Sequence, residues 1–183
     1  MRVSQRKFVN GGARVLLVSS LAAFLFLVLF VALQWRPSKL IEKRQASLID
    51  GIERRNPARI QRLVSPNYHD RWEFTREDIV ETLVDSGSQF MALVVTREDE
   101  SVVFEKSRAT VTVHLIISGK PVGPAGNEVT RRVNQLKEPF VFVWEKESFL
   151  PSSWRLVKVD NAGLPDELYG YEPGDIRRAM RGE

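Results

Sequence analysis

Residues 75–95 read TREDIVETLVDSGSQFMALVV, and within them the chain changes from one periodicity to another. Thr75-Arg76-Glu77-Asp78 has the form of a capping box with Asp in the reciprocating position, and its acids sit where a first helical turn favours negative charge. Ile79 and Leu83, with Phe90 further on, mark the apolar stripe of the helix that this box starts. After Gly87 the pattern becomes strand-like and stays so through Asp160. Helices first and then a run of strands predict an α+β domain whose helices cover one face of an antiparallel sheet.

Upstream of the box, Pro37 and Ser38 open a helix in which Ile41, Gln45, Leu48, Ile49 and Ile52 share one face as far as about Arg55. Asn56-Pro57 ends it and starts a second, shorter helix, because the residue before Pro disfavours the α region while Pro suits a first turn. Ile60, Leu63 and Val64 are the stripe of that helix, and Ser65-Pro66-Asn67 closes it.

Downstream, FMALVV (90–95), SVVFEK (101–106) and ATVTVHLIIS (109–118) are expected as neighbouring antiparallel strands. In the last of them Thr110, Thr112 and His114 share one face, and Val111, Val113 and Leu115 the other. GKPVGPAGNE (119–128) reads as a Gly/Pro-rich loop. Two further strands are expected over 129–145, interrupted at Pro139, and over 154–160. Phe140, Phe142 and Trp144 alternate with Val141 and Val143, which places that strand centrally.

Residues 15–35, VLLVSSLAAFLFLVLFVALQW, carry no charge, and at about 1.5 Å per residue they span roughly 30 Å of hydrocarbon. They are expected to form an uncleaved single-pass anchor, since the run exceeds the apolar core of a signal peptide and Phe30-Val31-Ala32 lacks a small-residue cleavage pattern. Ser19 and Ser20 can return hydrogen bonds to the preceding turn. The flanking cations are tied, Arg2, Arg6, Lys7 and Arg14 before the run against Arg36, Lys39, Lys43 and Arg44 after it. The acid-free tail and the ready translocation of long domains favour a cytoplasmic N-terminus and an exported C-terminal domain, periplasmic in a bacterium. The expected organisation is a basic tail over 1–14, the span over 15–35, a domain over 36–163 and an irregular tail over 164–183.

The net charge of +4 resides in residues 1–14, and from Arg36 onward 23 Lys plus Arg face 23 Asp plus Glu. That balance gives no basic field for a nucleic acid. With no Cys, disulfides, thiol chemistry and thiolate metal sites are excluded.

A long first helix, a short one closing in LVSPNYHDRW, a capped third helix, and strands ending in PFVFVWEKE and WRLVKVDN resemble the nuclear transport factor 2-like superfamily, which includes ketosteroid isomerases and scytalone dehydratase. The resemblance implies a cone of about three helices packed on a curved antiparallel sheet that folds around a cavity. By the same resemblance, Tyr68, Trp72, Phe142 and Trp144 are candidate ligand contacts, and His69, Asp70 and His114 candidate catalytic groups. No acid pair aligns onto inward strand positions in the manner of the isomerases, and Glu105, Glu145 and Asp160 fall near strand ends.

His69 and Asp70 are neighbours whose side chains diverge in most backbones, so His69 with His114 is the better functional pair. No metal or cofactor is expected. The sequence favours a membrane-anchored binding or scaffold module, engaging a protein partner or a second copy of itself. The alternative is a tethered enzyme or small apolar ligand binder using a cavity near Tyr68, His69 and His114.

Overall fold

The computed structural model describes residues 36–166 continuously, together with 16, 19–21, 23–26, 172–175 and 178. Most of the expected span at 15–35, all of the tail at 1–14 and much of the C-terminal tail lie outside them. The chain divides into two compact units, residues 1–40 and 41–183. In the first, the described positions between 16 and 26 are helical, and Ser19 Oγ donates to Leu16 O at 3.0 Å, the back-bond expected of that serine. Among the described residues no helix is long and apolar enough to cross a membrane.

The second unit is the α+β domain. Helices α1 (Pro37–Glu53), α2 (Pro57–Leu63) and α3 (Arg76–Ser88) precede strands β1 (Phe90–Glu105) and β2 (Arg108–Pro121). Helix α4 (Gly123–Gln135), strand β3 (Phe140–Lys146), a single 3-10 turn (Pro151–Ser153) and strand β4 (Trp154–Asp160) follow. The four strands form one antiparallel sheet in the order β1-β2-β3-β4.

The local signals act as their chemistry dictates. Asn56 caps α2 by accepting from Arg59 N at 3.0 Å, with Pro57 in the first turn. Thr75 and Asp78 close a reciprocal capping box on α3, the Thr75 side chain accepting from Asp78 N and the Asp78 carboxylate accepting from Thr75 N at 2.9 Å. On β2 the odd positions Ala109, Val111 and Val113 are fully buried, so the alternation read from ATVTVHLIIS is the alternation of the sheet.

Three expectations are corrected. Segments 90–95 and 101–106 are one strand, not neighbours: β1 runs through both and pairs with β2, with a register shift between Glu98 and Ser101 where Asp99 takes a left-handed φ of 52°. Such a bulge bends a strand without ending it, and the polar run TREDE had mimicked a turn. Phe90 accordingly opens β1 and does not belong to α3.

The third correction concerns 119–138. The expected loop and the first part of the expected strand are instead the end of β2 and the whole of α4. Glu128 pairs with both Arg131 and Arg132, the three- and four-residue spacings of a helix surface. Asn134 then docks the helix: its Oδ1 accepts from Ile117 N at 2.7 Å and its Nδ2 donates to Ile117 O at 2.8 Å. β3 pairs with β2 only between 108 and 113, so this amide side chain stands in for a strand partner beyond the end of β3.

Two glycines permit the close approaches. At Gly119 (φ 137°) a Cβ would lie 2.1 Å from Ala92 O, and at Gly126 on α4 it would lie 2.4 Å from Gln89 O. At both positions the backbones therefore come nearer than any side chain allows.

The core joins Ile41, Leu48 and Ile60 of the helices to Val111, Val113, Trp144 and Leu156 of the sheet, all at 0% exposure. Each such side chain contributes about 1.5–3 kcal/mol by leaving water.

Candidate functional site

The segment between α2 and α3, NYHDRW, is anchored along β4. Val64 bridges Leu156 in parallel, Ser65 N donates to Leu156 O at 2.8 Å, and His69 N donates to Val157 O at 3.1 Å. Extended backbone alternates sides, so Tyr68 and Asp70 are buried while His69 is exposed. The histidine-aspartate adjacency thus separates the two side chains.

Asp70 is a structural hub. Its Oδ2 accepts from Tyr68 Oη at 2.7 Å, and its Oδ1 from the backbone N–H of Trp72 at 3.0 Å and Phe74 at 3.2 Å. Burial, with the adjacent Asp70 carboxylate second, raises the Tyr68 phenol far above the ordinary tyrosine range, so it stays protonated and donates.

His114 lies on the outer face of β2, opposite Glu98 on β1. Its Nε2 is 3.2 Å from Lys137 O and its Nδ1 is 3.8 Å from Asp99 Oδ2. His69 is not among these partners. Among the described residues no group of three His, Asp or Glu side chains is placed to hold a metal ion.

The helices and the inner face of the sheet instead border a partly open cavity of about 250 Å³. Ile49 and Ile52 of α1, Leu83 of α3, Val129 and Val133 of α4, and Phe142 of β3 are among its walls. Among the described residues, Thr82 and Ser86 are the hydroxyl residues that line it, and no ionisable side chain does so. Ser86 Oγ donates to Thr82 O at 2.9 Å, whereas Thr82 Oγ1 is buried without a hydrogen-bond partner among the described residues.

Of the sequence candidates, Trp72 and Phe142 line this space. Trp72 is fixed at its edge by Nε1 donating to Pro165 O at 2.8 Å and by the Arg71 guanidinium 4.8 Å over its ring. Trp144 is instead fully buried in the core, donating through Nε1 to Gln45 Oε1 at 3.1 Å. Tyr68, His69, Asp70 and His114 are not lining residues.

Sequence reasoning missed Thr82 and the α4 wall. The signal for α4 was present in the four-residue spacing of Val129 and Val133, which puts both on one helical face while Arg131 and Arg132 face solvent. Nothing marked Thr82, a hydroxyl residue in an otherwise largely apolar wall.

No family model and no curated protein matches the chain. Solved structures do. A scytalone dehydratase-like protein from Novosphingobium aromaticivorans superposes with a TM-score of 0.52 at 12% identity, covering 74% of this chain and 90% of that one. A ketosteroid isomerase-like protein from Shewanella frigidimarina superposes with a TM-score of 0.50 at 10% identity, covering 69% and 95%. At these identities the likeness is one of fold alone.

Proposed function

We propose that this protein is a membrane-anchored binding module whose exported domain holds a small, mostly apolar ligand in the cavity between helices and sheet. The observation that carries the reading is the lining. A general base or nucleophile must reach the reacting atom at hydrogen-bond distance, and this wall offers hydrocarbon and two hydroxyls. Apolar walls with one or two placed polar groups are the chemistry of a binding pocket.

The volume sets the ligand. A cavity of about 150 Å³ admits benzene, so about 250 Å³ suits a molecule of roughly ten heavy atoms. The wall is not wholly apolar, since Thr82 and Ser86 are among its residues, which suits a ligand with one hydrogen-bonding group. The fitting class is a medium-chain alcohol, ketone or compact aromatic with a single polar substituent.

Photolabelling of the full-length protein with a diazirine-bearing medium-chain alcohol tests the ligand reading, through the residues that carry the adduct. The anchor rests on residues 15–35 and on the basic tail before them. Because the chain has no Cys, a single cysteine placed at Ser4 or at Ser148 reports its own side of the membrane. Labelling of intact cells by an impermeant maleimide is expected at Ser148→Cys and not at Ser4→Cys. The reverse pattern, or release of the protein by alkaline carbonate, would contradict the proposed anchor and orientation.

A further inference from the structure

A second concavity, of about 660 Å³, has the opposite character. It lies where α1, α2, the start of α3 and the β3–β4 hairpin meet, and five arginines line it: Arg44, Arg59, Arg62, Arg76 and Arg155. Among the described residues the one acid in its wall is Glu147, whose Oε1 accepts from Ser65 Oγ at 2.7 Å. No field of the whole domain gathers these cations, since the domain is charge-balanced; the fold brings them together from four elements.

Their existing partners leave most of that charge uncompensated. Arg59 pairs with Asp50, which also binds Arg54. Arg44 and Arg155 both donate to one neutral acceptor, Ser152 O, the second at 3.1 Å. Arg76 donates to Gln61 O at 2.6 Å, and its Nε is buried without a partner among the described residues. Arg62 forms no ion pair or hydrogen bond with a described residue.

Setting the Arg59–Asp50 pair aside, four guanidiniums face one carboxylate. Burial, and secondly the charge of Arg155, lower the Arg44 pKa from its usual value. Like charges drawn together and partly desolvated are unfavourable unless an anion offsets them.

We propose that this groove binds a multiply charged phosphate group. Guanidinium forks arriving from several directions match a tetrahedral group with several acceptor oxygens better than a carboxylate with two. The excess of three positive charges is that of a diphosphate, and the volume leaves room for the moiety it is attached to. The phosphate can belong to a soluble metabolite or to a lipid headgroup; the chemistry at the arginines is shared. This site is separate from the apolar cavity and stands or falls independently of it.

The test is calorimetric titration of the full-length protein in neutral detergent at low salt. Two probes are used, sodium pyrophosphate and the water-soluble short-chain dihexanoyl phosphatidic acid. At least one is expected to bind, more weakly as salt rises, and Arg62→Ala is expected to weaken it by roughly tenfold, the loss of one charge-assisted contact. Since Arg62 holds no other part of the structure, its variant should melt as wild type does. Arg62→Ala/Arg155→Ala is expected to abolish binding, and Arg131→Ala, on α4, to leave it unchanged. Binding of pyrophosphate alone assigns the site to soluble phosphates, and binding of the lipid alone, or displacement of pyrophosphate by it, to a headgroup. Absence of binding by both probes, or wild-type affinity in the double variant, overturns the proposal.

Discussion

The Asp70 carboxylate accepts from one phenol and two backbone N–H groups, and so it fixes the turn that aims Trp72 at the cavity edge. The histidine beside it does neither. Tyr68→Phe removes one of the three donors and is expected to cost about 1–2 kcal/mol at neutral pH, measured by urea unfolding. The same substitution should change the alkaline limb. The folded-state pKa of Tyr68 is raised, so its contribution is intact below the unfolded tyrosine value of about 10 and is lost as pH rises beyond it. Melting temperatures between about pH 8 and 11 should therefore fall more steeply for wild type than for Tyr68→Phe, and parallel curves would rule out this linkage.

At the scale of elements, α4 is the part least legible in the sequence and the part on which the cavity most depends. The α+β order, the capped α3, the alternation of β2 and the bounds of β4 could all be read, because each rests on chemistry within a few residues. α4 was missed, because Gly123, Pro124 and Gly126 are loop-like in isolation and mask the helical spacing of Val129 and Val133. Gly126 is there for its close approach to Gln89, a contact nearly forty residues away in sequence. The five arginines of the groove escaped notice for the same reason. They are scattered from 44 to 155, and only folding gathers them.

The pin that holds α4 is testable. Asn134→Ala should speed hydrogen exchange of the Ile117 amide by roughly two- to tenfold, in line with about 0.5–1.5 kcal/mol for a lost hydrogen bond. Exchange at Val111, deep in the β2–β3 pairing, should be unaffected. If the Ile117 amide exchanges as before, the docking of α4 does not depend on Asn134.

For the molecule as a whole, the fold and the residues that line its cavity point in different directions. The solved structures that share the fold include dehydratase- and isomerase-like proteins, yet a fold hosts many activities, and what it does is decided by the groups placed in its site. Here those groups are aliphatic and aromatic side chains with the Thr82 hydroxyl among them. The charged chemistry lies outside the cavity, in the arginine groove. Two chemically opposite concavities on one domain suit the binding role proposed for it.

The apolar ligand site is tested by where a photoreactive alcohol attaches. Mass spectrometric mapping on the full-length protein should place adducts on cavity residues such as Leu83, Leu115 and Val133. Leu115→Trp, which fills the space, should remove those adducts while leaving the protein folded. Adducts confined to exposed side chains such as Met91 and Phe149, or cavity labelling that persists undiminished in Leu115→Trp, would rule out a ligand site in the cavity.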